Sequence, residues 1–331
     1  MKSDIRNPIF QDEDKAREWL EAQRWPDGPV CPFCKKRDGV KALPATRSKP
    51  SKAHPEGVLQ TGWYHCNPCR KRFTVRVGTL YERSHIPLHK WLYATHLLCS
   101  SKKGISALQL HRMLGVSRKS AWFMAHRIRE GMRETNPSPL GGEGQIVEAD
   151  ETYFGNVKGA RTQKVFVNRK GWVKRGAGGE AKFKVVSLVE RSGRARSVHV
   201  PYLTAGNVRK VLTHNVLRKS DLMTDSSNVY NAVGREFASH ETVNHSIYEW
   251  ARGVVHTNTI EGFFSIFKRG MRGIYQNCSE AHLHRYLAEF DFRYSNREAL
   301  GCDDRARTLE AIKGIEGKRL TYRGTNQTAN A

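Results

Sequence analysis

Residues 256–270 read His-Thr-Asn-Thr-Ile-Glu-Gly-Phe-Phe-Ser-Ile-Phe-Lys-Arg-Gly, and this stretch combines a predicted helix with candidate site residues. Its apolar residues recur at helical spacing and predict a helix that packs down on one side. Glu261 and Lys268 are seven residues apart, about two turns, so both side chains leave the same face. A carboxylate and a lysine on one rigid face suit metal ligation beside a phosphate. Asn258, three residues before Glu261, also fits a helix-capping pattern, so a purely structural role stays open.

The composition points to a polyanionic partner. The chain has 331 residues, with 56 Lys and Arg against 32 Asp and Glu and a formal net charge of +24. Such an excess is typical of nucleic-acid binding, and a basic ribosomal or membrane-surface protein is the alternative. No run of about 18 apolar residues occurs and the first 24 residues are charged. We therefore expect an intracellular, cytoplasmic protein of two or three domains.

Four of the seven cysteines form two pairs, Cys31-Pro-Phe-Cys34 and Cys66-Asn-Pro-Cys69, with 31 residues between the inner cysteines. Each pair can aim two sulfurs at one tetrahedral zinc ion. A redox-active motif is the alternative, but no βαβ pattern accompanies the cysteines. We predict a zinc ribbon over residues 29–82, preceded by an N-terminal helix within 1–28. Four thiolates leave no open position on the metal, so this Zn²⁺ would be structural.

Residues 83–135 read as helices, the last two separated by Gly115-Val-Ser117. A helix, a short Gly-containing turn and a second helix with basic residues near its start match a helix-turn-helix. The second helix would offer Arg118, Lys119 and Ser120 to a DNA groove. An ordinary helical connector is the alternative. Residues 136–144 are rich in Pro and Gly and mark a domain boundary.

Residues 145–300 show the element order β-β-β-α-β-α followed by the helix of the 256–270 stretch, which predicts an α/β domain of RNase H-like fold. Asp150 lies on the first strand and Asp225 ends the fourth. A Gly-rich basic insertion, 156–182, is interpreted as a surface hairpin or mobile loop against DNA, or as a solvated insertion. Residues 301–331 are expected to form a C-terminal tail.

Asp150, Asp225 and a third oxygen ligand from residues 258–261 come from three separate elements. Phosphoryl transfer by two metals uses such ligands to hold two Mg²⁺ ions, or Mn²⁺, about 3.5–4 Å apart. For any one Asp, capping a turn or helix is the simpler explanation. Three such positions in one fold order favour a catalytic magnesium site.

Residues 148–155, 224–226 and 256–270 resemble the DDE-type transposases of bacterial insertion sequences related to Merlin elements. Members of that group also carry an N-terminal zinc ribbon, and the resemblance covers roughly residues 25–300. It implies nicking at the element ends and attack of the freed 3′-hydroxyl on target DNA. It also implies that Asp150 and Asp225 bind metal and that Lys268, with Arg269 beside it, contacts DNA.

The group's third position is usually Glu and can be Asn, and both Glu261 and Asn258 are present. We favour Glu261, because its spacing to Lys268 fits and a carboxylate binds Mg²⁺ better than an amide does. Asn258 would then be a helix cap or an auxiliary ligand.

The sequence therefore predicts a multidomain DNA transposase. Its double-stranded DNA partners would be the terminal inverted repeats and the target, and pairing two ends implies a homodimer or a larger assembly. Two alternatives remain. One is a DNA-binding regulator with an inactive RNase H-like domain, and the other is an RNase H-like nuclease without strand transfer.

Overall fold

The computed structural model describes residues 6–52, 54–155, 157, 163–167, 171–175 and 181–321. The chain forms two compact units. The first contains residues up to Ser100, Ala107–Met132 and the residues from Asp304 onward, and the second contains Ser101–Ser106 and Arg133–Asp303.

The first unit begins with a helix and five short strands. The helix starts after Asp12, whose carboxylate accepts a hydrogen bond from the Lys15 amide at 2.8 Å, a typical N-cap. The elements are α1 (Glu13–Arg24), β1 (Val40–Ala42), β2 (Thr46–Arg47), β3 (Leu59–Gln60), β4 (Tyr64–Cys66) and β5 (Lys71–Phe73). Strands β1, β4 and β5 form one antiparallel sheet, and β2 pairs with β3.

Three further helices follow in this unit, α2 (Leu88–Ser100), α3 (Ala107–Leu114) and α4 (Arg118–Met132). Gly115 ends α3 with φ +61°, a left-handed conformation that glycine adopts without strain. The Ser117 hydroxyl accepts from the Ser120 amide at 3.1 Å and caps α4. The two predicted helices and their turn are therefore present, and the DNA-binding role of this pair stays a prediction.

The second unit is built on a mixed five-stranded sheet. Its strands, in the order in which they pair, are β10 (Ala195–Val200), β9 (Phe183–Glu190), β6 (Ile146–Phe154), β11 (Asp221–Asp225) and β12 (Ser239–Val243). Pairing is antiparallel from β10 to β6 and parallel from β6 to β12. A fifth strand, β12, was not predicted. The elements are β6 (Ile146–Phe154), β7 (Gln163–Val167), β8 (Gly171–Arg175), β9 (Phe183–Glu190), β10 (Ala195–Val200), α5 (Ala205–Asn215), β11 (Asp221–Asp225), α6 (Asn228–Gly234), β12 (Ser239–Val243), β13 (Ala251–Arg252), β14 (Val255–His256), α7 (Asn258–Gly270) and α8 (Glu280–Ser295).

Both faces of this sheet are covered, because successive side chains of a strand point to opposite faces. Val147 and Ala149 of β6 belong to one buried cluster, which also holds residues of α5 and α6. Phe154 of β6 belongs to a second cluster, which holds residues of α7 and α8. The first strand is therefore buried on both sides, and its register is fixed.

One part of the predicted domain organisation differs from the structure, the tail 301–331, and another, the basic insertion 156–182, is described only in part. The expected tail 301–331 contains a helix, Asp304–Lys313, that belongs to the first unit. It forms because Ala311 and Ile312 are buried there. Within the predicted basic insertion, β7 and β8 pair as an antiparallel hairpin, whereas most of its other residues lie outside the described part of the chain.

In the described residues, no helix has the length and apolar character needed to cross a membrane.

Candidate functional site

Two of the predicted acids lie side by side at the centre of the sheet of the second unit. Strands β6 and β11 run parallel with Ala149 opposite Thr224, so Asp150 and Asp225 follow on adjacent strands. Carboxylate oxygens of Asp150, Glu151 and Asp225 all lie within 4.8 Å of one another. The fold thus brings together two acids that are 75 positions apart, and it adds Glu151.

The environment of Asp150 disfavours its charge. Burial raises the pKa of Asp150 to about 8, helped by the negative charges of Asp225, Glu151 and, more weakly, Glu261. A hydrogen bond from the Glu151 amide, at 2.7 Å, acts in the opposite direction. Crowded, desolvated carboxylates of this kind are relieved by a divalent cation, and oxygen ligands suit Mg²⁺ and Mn²⁺. The acids therefore fit the metal predicted for them.

Glu151 was not predicted as a site residue, because strand alternation directs it to the face opposite Asp150. It does reach that face, where the Tyr230 hydroxyl donates to Glu151 Oε2 at 2.9 Å. Strand β11 ends at Asp225, however, so β6 has no parallel neighbour beyond Asp150 and the longer Glu151 side chain can approach the other acids. The adjacent Asp-Glu pair was the only sequence signal for this.

A buried carboxylate on β6 fixes the start of α7. Glu148 is fully buried and accepts hydrogen bonds from Ile260 N at 2.9 Å, Thr259 Oγ1 at 2.9 Å and Arg191 Nε at 2.8 Å. The His256 Nδ1 atom also lies 3.2 Å from it. A negative charge at a helix N-terminus satisfies unpaired amides and stabilises the helix dipole. Glu148 therefore fixes the start of α7 against β6, and Asp150 lies two residues after Glu148 on the same strand.

The beginning of α7 corrects one expectation. Thr257 occupies the N-cap position and Asn258 is the first helical residue, so Asn258 is not the cap. Its side chain is exposed. The carboxylate of Glu148 supplies the capping acceptor instead.

Glu261 lies near the acid cluster but is outside the 4.8 Å group. Its Oε1 atom accepts from Thr257 Oγ1 at 3.2 Å and lies 3.3 Å from His245 Nε2. Its charge nevertheless reaches Asp150, whose pKa it raises. Whether Glu261 or Asn258 completes the metal site stays a prediction, as does the choice of metal.

The predicted DNA-contacting residues of α7 lie in its last turns. Lys268 Nζ sits 5.7 Å from the ring centre of Phe264. Arg269 is exposed and its guanidinium donates to both the carbonyl and the hydroxyl of Ser265. In the first unit, Arg118 and Lys119 are exposed, whereas Ser120 is half-buried and its hydroxyl accepts from Ser117 at 2.9 Å.

The four predicted zinc ligands converge in the first unit. Their four sulfurs all lie within 4.8 Å of one another, from Cys31, Cys34, Cys66 and Cys69. The Cys31–Cys69 and Cys34–Cys66 sulfur pairs are each 3.5 Å apart, too far for disulfides. Zinc–sulfur bonds of about 2.3 Å place the sulfurs of a tetrahedron about 3.8 Å apart. The cluster therefore fits one structural zinc ion.

Comparison with known proteins agrees with this organisation. Residues 139–295 match the family model of the ISXO2-like transposase domain, and residues 11–72 match the transposase zinc-ribbon domain. A curated relative from Halobacterium salinarum (strain ATCC 700922 / JCM 11081 / NRC-1), an uncharacterized protein in transposable element ISH50, is 26% identical over 307 residues. That alignment covers 88% of this chain and 95% of the relative.

Solved structures give weaker matches. The Mos1 transposase paired-end complex with left transposon end has a TM-score of 0.28 and 13% identity, covering 68% of this chain and 75% of the other. A pre-cleavage Mos1 transpososome has a TM-score of 0.27 and 14% identity, covering 63% and 71%.

Proposed function

Because the chain belongs to the insertion-sequence transposases that carry an N-terminal zinc ribbon, we propose that it nicks the DNA ends of its element and joins the freed 3′-hydroxyl to target DNA. The observation that carries this proposal is the convergence of Asp150 and Asp225 on adjacent parallel strands. The sheet order supports an RNase H-like domain, since three antiparallel strands are followed by two parallel ones in the order 3-2-1-4-5.

In this mechanism the acids would hold two divalent cations that orient the scissile phosphate. Asp150 and Asp225 would be ligands, and Glu261, Glu151 or Asn258 would complete the set. When bound, the metals would lower the pKa of the attacking hydroxyl and stabilise the leaving oxygen. Asp150 must release its proton before it can bind a cation, because burial and its acidic neighbours raise its pKa to about 8.

The first unit would recognise the element ends. The zinc ribbon supplies a small scaffold, and α4 presents Arg118 and Lys119 to solvent at its start. Lysine and arginine contacts to phosphate give most of the affinity for DNA and make it depend on salt. Lys268 and Arg269 of α7 would contact the DNA backbone on the catalytic side. Pairing of two ends requires two copies of the chain or more.

The proposal is tested with a supercoiled plasmid that carries the DNA flanking this gene on both sides. We expect nicking in Mg²⁺ or Mn²⁺ by the wild-type protein and none by Asp150→Asn or Asp225→Asn, with DNA binding unchanged within a few-fold. The matched control is Asp221→Asn, at the opposite end of β11, where the carboxylate accepts from Ser239 Oγ at 2.6 Å. It should cut like the wild type.

Three results would contradict the proposal. Nicking by Asp150→Asn would remove that residue from the site. Binding without any nicking would identify a regulator, and nicking without joining of the 3′-hydroxyl would identify a nuclease.

A further inference from the structure

A loop just before α7 exposes four large apolar side chains within eight residues. Their exposed fractions are 69% for Ile247, 83% for Tyr248, 55% for Trp250 and 68% for Val254. Single exposed apolar residues are common on protein surfaces, whereas a cluster of them marks an interaction site. We call residues 244–254 the aromatic loop.

The aromatic loop is held in place by polar contacts. The Asn244 amide donates to Glu249 Oε2 at 3.1 Å, and Asn244 Oδ1 accepts from the Ser246 amide at 3.0 Å. Tyr248 adopts φ +62°, a left-handed conformation that is uncommon and costly for a bulky residue. The fold thus maintains a strained backbone that displays an aromatic ring to solvent.

Contacts of the aromatic loop reach Glu261 of α7 and, through Arg191, Glu148 of β6. The Trp250 ring lies 4.8 Å from the ring of His245, whose Nε2 atom is 3.3 Å from Glu261. On the other side, the Val254 carbonyl accepts from Arg191 at 2.6 Å, and the same guanidinium donates to Glu148. The loop therefore contacts Glu261 through His245, and it shares Arg191 with Glu148, which lies two residues before Asp150 on β6.

We propose that Tyr248 and Trp250 form a stacking platform for unpaired DNA bases next to the phosphate that the acid site cleaves. This inference rests on the proposed function. Exposed aromatic rings stack on bases of any sequence and contribute substantially to single-strand affinity. The charged groups named around the rings do not favour an anion, since the Arg252 guanidinium lies 3.1 Å from Glu241 and 3.9 Å from Glu249, two carboxylates against one cation. The surface therefore suits the face of a neutral base better than a phosphate.

The test uses full-length Asp150→Asn protein without Mg²⁺ and a single-stranded oligothymidylate that contains one 2-aminopurine. We expect binding to quench the 2-aminopurine fluorescence. Adding Trp250→Ala or Tyr248→Ala should reduce the quenching and weaken affinity about five- to a hundredfold, whereas Trp250→Phe should retain most of both. The matched control is Tyr202→Ala, which removes a 70% exposed tyrosine elsewhere in the same unit.

The platform is refuted if the alanine variants bind and quench like their parent, or if Tyr202→Ala lowers affinity equally. It is also refuted if light scattering shows that Trp250→Ala separates a dimer into monomers while affinity for the oligonucleotide is unchanged, because the loop would then contact a second copy. Circular dichroism of each variant checks that it is folded. Since the parent protein does not cut, failure of the wild type to nick DNA would count against the proposed function and leave this stacking measurement intact.

Discussion

Replacing Asp150 by Asn should stabilise the metal-free protein near neutral pH while abolishing cleavage. The ordinary pKa of an aspartate is 3.8, and burial together with Asp225, Glu151 and Glu261 raises that of Asp150 to about 8. Between these two values the folded protein holds a proton that the unfolded chain has lost. The free energy of unfolding contributed by Asp150 is therefore greatest below pH 3.8 and falls until the pH passes about 8.

The size of the effect follows from that difference. pH 7 lies about three units above the pKa of Asp150 in the unfolded chain, so ionisation stabilises the unfolded state by roughly 4 kcal/mol, at about 1.4 kcal/mol per unit. The folded residue is still mostly protonated at this pH and gains almost none of that stabilisation. Asparagine has nearly the same shape and does not ionise. Because water entry and relaxation around a partly accessible carboxylate reduce such penalties, we expect Asp150→Asn to gain about 2 kcal/mol.

The measurement is urea unfolding of zinc-loaded protein free of other divalent cations, at about pH 5 and about pH 8. The advantage of Asp150→Asn over the wild type should be larger at the higher pH. Mg²⁺ should then raise the stability of the wild type more than that of the variant, because bound metal favours the ionised carboxylate. Asp221→Asn serves as the control and should show no such pH-dependent gain. A variant that is less stable than the wild type at pH 8, or a difference that does not change with pH, would refute the burial argument.

Three other predictions test the remaining parts of the molecule. Cys66→Ser should lower the zinc content measured by atomic absorption and expose the first unit to proteolysis, and an unchanged protein would refute the four-thiolate site. Glu148→Gln should destabilise the protein by about 3 kcal/mol, because it removes the fully buried carboxylate that pairs with half-buried Arg191 and caps α7, and it should reduce nicking. Urea unfolding and plasmid nicking measure the two effects, and wild-type stability would refute the anchoring role. A comparison of Glu261→Gln with Asn258→Ala should identify the third ligand. The residue whose replacement causes the larger loss of nicking, with partial rescue by Mn²⁺, is the ligand, and we expect it to be Glu261.

Local patterns were enough to predict much of the architecture. The cysteine pairs indicated the ribbon, and the match to a transposase zinc-ribbon domain confirms it. The N-terminal helix predicted within residues 1–28 is present as α1, and Asp12 is its N-cap. Each of these signals lies within a few residues of the element that it specifies, so a single sequence suffices to read it.

The missed features depend on partners that are distant in sequence. Glu148 is an acid on a buried strand, and its role becomes visible only when Ile260, 112 positions away, donates to it. Glu151 joins the acids because β11 ends beside Asp150, a matter of strand register that no local pattern encodes. Tertiary contacts determine the roles of Glu148 and Glu151, and the intrinsic helix or strand propensity of the residues does not.

The helix Asp304–Lys313 completes the first unit although the whole second unit precedes it in the chain. Thr308 of this helix lies 3.1 Å from His96, and Arg307 donates to the Cys99 carbonyl at 2.9 Å. During synthesis on the ribosome, the unit that holds the zinc ribbon therefore cannot close before nearly all of the chain has emerged. A chain truncated before residue 304 would consequently leave the first unit without this helix and without its contacts to His96 and Cys99.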